Sequence, residues 1–360
     1  MIVIEPRPAL SPALAVSAPV LAGAAALLIA AIPIAFAGAN PIAAYGYMIT
    51  GAFGSLFAFS ETLTRTTPLI LTGLAAAVAF RARLWNIGGE GQLYAGALAA
   101  VAIGSGAIDA PSWIMIPLVL AAGAIAGALF FLGPAVLKLK FGADEVVTTL
   151  LLNFVMLLFV QMMLEGPLKD PMSLGWPQSA PITDAAALPT LIPRMRVHAG
   201  LILGLVAVLL VWVMMKRTVW GMEIRAVGEN APAARFAGIP VTATVLRVAL
   251  FSGALAGLAG VGEVAGLKGY LTSDLSPGFG YSGIVVAMLA GLSPLGVVAA
   301  ALFIASVFVG ADSMSRGLGV ASYIADLVVA LSLLCVLVGG FFTRFRLRWK
   351  GRAAHTAVRP

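Results

Sequence analysis

The sequence predicts an all-α polytopic membrane protein with about ten transmembrane helices, and three observations carry that prediction. Of its 360 residues, 61% are hydrophobic and 10% charged. A soluble domain carries roughly 25% charged residues, so this chain lacks the polar surface to live in water. The mean hydropathy is +1.04, and the apolar residues gather into runs close to the ~20 that a helix needs to cross a hydrocarbon core of about 30 Å. The cations are also divided unequally between alternate loops. A chain with a formal charge of +7 invites a nucleic-acid reading. Here the excess sits in loops between apolar spans, where membrane topology accounts for it.

Residues 1–17 hold Arg7 and three prolines before the first long apolar run, and form an N-terminal segment ahead of a retained first helix. The apolar runs fall at 18–36, 63–80, 92–107, 113–137, 146–164, 199–215, 245–267, 282–292, 295–309 and 323–342. The third, eighth and ninth are short for a full crossing, which points to tilted, broken or re-entrant elements. An even count puts both termini on one side. With the termini inside, sixteen of the 22 Lys and Arg face the cytoplasm. The other six, Arg65, Lys169, Arg194, Arg196, Lys268 and Arg316, lie outside. The organisation is then an N-terminal cytoplasmic segment, a transmembrane domain at 18–343 with a cytoplasmic segment at 216–244, and a basic tail at 344–360. The lone Cys335 lies in the last apolar run and allows no intramolecular disulfide.

Two outer segments stand out. Residues 165–198 form the longest outer connection, rich in proline and carrying Trp176, and suit either a solvated link or a docking surface. Residues 270–281, YLTSDLSPGFGY, combine turn residues in a pattern that fits a re-entrant element.

Catalysis finds no support. A phosphate-binding loop needs Gly-Lys at its end, and the chain has no Gly-Lys pair. His198 and His355 are isolated, and no Cys, His and carboxylate cluster has metal-ligand spacing. No metal, catalytic residue or cofactor is expected on this chain.

Polar residues inside apolar runs are costly and tend to face a cavity or the bundle interior. Asn153, Glu263 and Asp326 are of this kind, with Gln161 a weaker case. The densest polar cluster near membrane depth is WNIGGEGQ, from Trp85 to Gln92. Asn86 can cap the helix that follows, the glycines allow close backbone approach, and Glu90 sits near a positive helix end. The pairs Gly123 with Gly127, Gly253 with Gly257 and Gly262 with Gly266 suit close helix packing within one bundle.

The most informative stretch is 223–241, EIRAVGENAPAARFAGIPV. Asn230 to Phe236 reads as a short extramembrane helix, with Asn230 as N-cap, Pro232 in the first turn, and Gly238 and Pro240 as the stop. Residues 223–260 are similar to the cytoplasmic coupling segment and following helix of ABC-importer permeases of the ribose, branched-chain amino acid and nucleoside type. LWNIGGEGQL at 84–93 and DEVVTTLLLNFV at 144–155 resemble the nucleoside branch of that family. The resemblance implies a type II importer permease-like bundle in a cell inner membrane. It implies a separate ATP-binding subunit, carrying ATP and Mg, that engages Glu223, Arg225, Asn230, Ala234, Arg235 and Gly238. It further implies an extracytoplasmic solute-binding protein and a second, related permease completing a heterodimeric pore. Asn86, Glu90 and Gln92 become solute-path candidates, joined by Asn153 and Glu263. Nucleosides are the implied solutes, with simple sugars or branched-chain amino acids as alternatives. An ion-gradient-driven transporter is the rival from another class, with Glu263 or Asp326 as its coupling acid.

Overall fold

The computed structural model describes residues 2–6, 25 and 27–349. Most of the expected N-terminal segment, the start of the first apolar run, and the tail from residue 350, including His355, lie outside the described residues. The chain divides into two compact units, one of Tyr47–Ser313 and one joining Met1–Gly46 to Met314–Pro360.

In the terminal unit, β1 (Ile2–Pro6) pairs antiparallel with β2 (Phe345–Trp349), Ile4 opposite Leu347. The strand pair places the two ends of the described chain side by side. It is a regular element that composition did not announce. Helix α1 (Leu27–Phe36) is followed by α2 (Pro41–Phe53), and the Tyr45 hydroxyl donates to the Leu27 carbonyl. Helix α13 (Ser322–Arg344) leads directly into β2.

The larger unit is a helical bundle. Its elements are α3 (Leu56–Arg81), α4 (Gly89–Gly104), α5 (Ser112–Phe141), α6 (Glu145–Glu165), α7 (Gly200–Arg217), α8 (Val219–Glu229), α9 (Ala231–Phe236), α10 (Val241–Val261), α11 (Phe279–Leu289) and the start of α12 (Pro294–Leu318). A π turn, Gly262–Lys268, extends α10. The most hydrophobic stretch of α3 is 89% buried and that of α6 only 22%. Thus α3 forms the core, while α6 turns most of its apolar surface outward, as a helix facing lipid does. The interior of α3 is rich in Ser and Thr, and these side chains bond back along the helix. Thr64 donates to the Ser60 carbonyl at 2.9 Å and Thr66 to the Thr62 carbonyl at 2.7 Å. A buried hydroxyl is thereby satisfied without a partner helix.

Helix α10 packs against α3, α4 and α5, and glycine is what lets it. A Cβ on Gly257 would lie 2.2 Å from the Gly123 carbonyl oxygen, and one on Gly127 would lie 2.3 Å from that of Gly253. The two G-x-x-x-G pairs of α5 and α10 face each other backbone to backbone. Gly260 meets the Leu93 carbonyl of α4 in the same way, at 1.9 Å. With no Cβ between them, the helices approach closely enough for dispersion to hold them in an apolar solvent.

Among the described residues, six helices are long and apolar enough to cross a membrane, or seven if α1 and α2 form one bent span. A count of ten is not confirmed. All ten apolar runs contain helix, but α4 has 16 residues and α11 has 11, about 24 and 16 Å of rise against a core of ~30 Å. The ninth run, in contrast, belongs to a full-length helix, since α12 continues through 25 residues. Its polar last turns hid that length from a hydropathy reading.

The ion pairs fall at two opposite ends of the bundle. Arg65 pairs with Asp312, and Arg196 with Glu61 at 3.5 Å, at the end carrying the long 165–198 connection. Lys138 pairs with Glu145, and Arg247 lies 4.0 Å from Glu223, at the opposite end. The long connection is stapled down by backbone hydrogen bonds: Ser179 donates to Leu271 at 2.9 Å, Thr183 to Gly104 at 2.8 Å and Leu188 to Ala265 at 2.7 Å.

Candidate functional site

Two helices begin inside the bundle, and the predicted polar residues gather at their N-termini. The first is α4, whose N-cap position, Gly88, supplies no side chain. Its exposed amides are satisfied from another helix. The Asn153 side-chain oxygen, on α6, accepts from the Gly91 amide at 2.8 Å. The Asn153 amide donates to the Ile87 carbonyl at 3.0 Å and to the Tyr281 hydroxyl at 3.1 Å. Thr149, one turn earlier on α6, accepts from the Ile87 amide at 3.2 Å. Asn86 is not the N-cap the sequence suggests, because it lies two residues too early. It exchanges a pair of hydrogen bonds with Gln92, 2.9 and 2.8 Å, while its amide also reaches Ser252 of α10 at 3.0 Å.

The second is α11. The chain leaves the π turn, descends as residues 270–278 beside α4, and becomes helical only at Phe279. Tyr94 marks the descent: its hydroxyl donates to the Ser273 carbonyl at 2.7 Å and accepts from the Ser276 amide at 3.2 Å. Four residues back along α4, Glu90 accepts from the Gly280 amide at 2.7 Å. Gly280 must be glycine, since its Cβ would sit 2.1 Å from the Glu90 backbone nitrogen. A carboxylate from α4 therefore caps the positive end of α11, as an asparagine from α6 caps α4.

Three neighbouring hydrogen-bonded groups therefore surround the start of α4: Asn86 with Gln92 and Ser252, Asn153 with Tyr281, and Glu90 with the Gly280 amide; sequence reasoning missed Ser252 and Tyr281. The sequence signal for Ser252 was a hydroxyl inside an apolar run, and Tyr281 ends the turn-rich segment 270–281. Glu263 is buried elsewhere, on the π turn, where Lys268 and Arg65 are the charges acting on it. All five predicted residues are at most 3% exposed, and four of them, Asn86, Glu90, Gln92 and Asn153, are engaged in hydrogen bonds at helix ends. Gln161 and Asp326 are exposed. His198, dismissed by sequence as isolated, is fully buried. Its Nδ1 accepts from the Gly200 amide at 3.1 Å, and its ring lies on Gly266, where a Cβ would be 2.2 Å from that nitrogen. Burial pushes its pKa down to about 4.

At the other end, α9 has the expected bounds. The Asn230 side chain accepts from the Ala233 amide at 3.0 Å. Gly238 closes the helix at φ 82°, where the Ile239 amide reaches the Ala234 carbonyl and the Gly238 amide that of Arg235, both at 3.0 Å, a Schellman ending. Ala234 packs inward at 4% exposure, whereas Phe236 is 96% exposed and Arg235 is exposed beside it. Helix α8 was not anticipated, although Gly221, Ile224 and Gly228 recur at helical spacing and form its buried face. Glu223 and Arg225 lie on α8 and turn toward the bundle, Glu223 to Arg247 and Arg225 to the Met215 carbonyl.

Residues 58–337 match the family described as the permease component of branched-chain amino acid transport systems. The chain belongs to this permease family. The permease is similar to the glucose ABC transporter permease protein TsgB13 of Haloferax volcanii, 37% identical over 96% of this chain and 93% of the relative. It is also similar to the guanosine ABC transporter permease protein NupP of Bacillus subtilis, 35% identical over 95% and 97%. A third relative is the nucleoside ABC transporter permease protein NupB of Lactococcus lactis, 34% identical over 87% of each. A second permease protein in each of these organisms matches at 24 to 29% identity. No solved structure matches the permease. It is a multi-pass membrane subunit of an ABC transporter, which sets aside the ion-gradient reading.

Proposed function

We propose that this permease imports nucleosides, as one of two related permeases forming a heterodimeric pore. A separate ATP-binding subunit carries ATP and Mg, and an extracytoplasmic binding protein delivers the solute. The observation that carries the coupling is α9: a capped two-turn helix with Phe236 projecting almost wholly into solvent. An exposed aromatic on a rigid helix suits a groove in a soluble partner. Movement of that partner passes through α8 to the ends of α3 and α7, against which α8 packs. At the opposite end, Met172, Leu174 and Trp176 are 67% exposed or more and form the docking surface for the binding protein.

The solute path follows the interrupted helices. Opening the bundle separates Glu90 from Gly280 and Asn153 from Gly91, turning two helix N-termini and their capping side chains toward the hydroxyls and base edge of a nucleoside. Two of the three relatives above carry nucleoside or guanosine in their names. The glucose name of the other supports a second reading, a simple-sugar permease. Reconstitution with both permeases, the ATP-binding subunit and the binding protein tests both readings. The expected result is ATP-dependent guanosine uptake that Phe236→Asp abolishes. Uptake of glucose without guanosine would replace the first reading by the second, and undiminished uptake in the Phe236 variant would remove α9 from coupling.

A further inference from the structure

A cavity of about 510 Å³ opens where α3 and α7 end and α12 begins. Its wall carries four cations, Arg81, Lys216, Arg217 and Arg225, and no carboxylate. None of the four lies within ion-pair distance of an acid among the described residues. Arg81 and Arg225 are held in place by main-chain carbonyls, Arg81 on Leu292 at 3.4 Å and Arg225 on Met215. Lys216 lies 5.5 Å from the centre of the Trp212 ring. Cations without an acidic partner repel one another, and four of them around one cavity are stabilised by an anion with several acceptor oxygens. Ser293 and Pro294, at the start of α12, add the positive end of a 25-residue helix to the same wall.

We infer that this cavity binds the phosphate headgroup of an anionic phospholipid. Phosphate is the shared chemistry of a lipid headgroup and the free ion, and the surroundings favour the lipid. The cavity sits at the ends of membrane-crossing helices, where headgroups lie. Along α7 beneath it, Leu209, Leu210 and Val213 are 57, 63 and 44% exposed, an apolar track for acyl chains. Trp212 has the amphipathic ring that favours this depth. Bound lipid would join Arg81 of α3 to Arg225 of α8, bracing the root of α9.

The test is a titration of the detergent-purified, lipid-depleted chain with phosphatidylglycerol carrying brominated acyl chains. The readout is Trp212 quenching, taken as the difference between wild type and Trp212→Phe. Saturable quenching is expected, weakened roughly 30-fold in Lys216→Gln/Arg217→Gln by loss of two cations. Both side chains are exposed, so the fold is retained. As a second variant, Ser293→Asp keeps a good residue at the start of α12 and places a negative charge in the cavity, and it should likewise weaken the saturable quenching. Equal binding of brominated phosphatidylcholine, or unchanged affinity in both variants, would reduce the site to ordinary boundary lipid. Displacement by millimolar inorganic phosphate would make it a free-anion site. Displacement by the ATP-binding subunit would assign the cations to an acidic protein surface. Each of these three results overturns the inference.

Discussion

Replacing Asn153 by alanine should loosen the start of α4. The side chain serves three groups, the Gly91 amide, the Ile87 carbonyl and the Tyr281 hydroxyl. Tyr281 is 37% exposed and recovers its bond from solvent. Gly91 is buried and Ile87 half-buried, and a backbone group left unpaired in the interior costs about 1–3 kcal/mol, with the smaller share at Ile87. The variant should therefore lose about 3 kcal/mol, or roughly 4–8 °C in Tm. The assay is thermal unfolding of the purified chain in detergent at one scan rate, beside Phe154→Ala on the same helix. Phe154 is 57% exposed, and its loss should cost under about 1 kcal/mol despite its greater size. Equal Tm values for Asn153→Ala and wild type would refute the bracing role. If the Tm held while nucleoside uptake fell, Asn153 would be a solute contact instead.

Glu90→Gln keeps an oxygen for the Gly280 amide and should unfold close to wild type, whereas Glu90→Ala should lose about 1–2 kcal/mol with the cap; comparison of their melting curves decides. Gly257→Leu drives a side chain into the Gly123 carbonyl, 2.2 Å from its Cβ, and should cost about 3 kcal/mol or more. Gly133→Ala meets nothing within 4 Å and should stabilise α5 by up to about 1 kcal/mol; the two variants are scored by yield of folded protein and Tm. His198 titrates near 4 when folded against 6.5 when unfolded, so the unfolded state binds more protons between those values. Stability should fall with pH below about 6.5, by about 2 kcal/mol at pH 5 relative to pH 8. His198→Gln should flatten the dependence, and an unaltered profile in that variant would exclude His198 as its source.

The sequence shows different parts of this permease with different clarity. Helix α9 was legible to the residue because it is a local structure. Asn230 as cap, Pro232 in the first turn and Gly238 at positive φ act within eight residues, and no distant contact is needed to specify them. The close helix pairs were legible in part. G-x-x-x-G spacing announced close packing, and the fold supplied the partners, with Gly123 and Gly127 meeting Gly253 and Gly257. Residues 84–93 stood out as unusual, but their arrangement was hidden. Glu90 looked like a residue at its own helix start, and it caps a helix 190 residues away.

By itself, then, the sequence determined the membrane class, the capped helix α9 and five of the polar residues that are buried, Asn86, Glu90, Gln92, Asn153 and Glu263. These follow from composition, periodicity and near-neighbour chemistry, all of which act over a few turns of chain. Only the tertiary structure decided which crossings are complete and which are interrupted, and what each buried polar group answers to. In an apolar solvent every helix terminus begun inside the bundle needs a partner. For α4 that partner is Asn153 and for α11 it is Glu90, side chains that only the packing of separate helices could bring there.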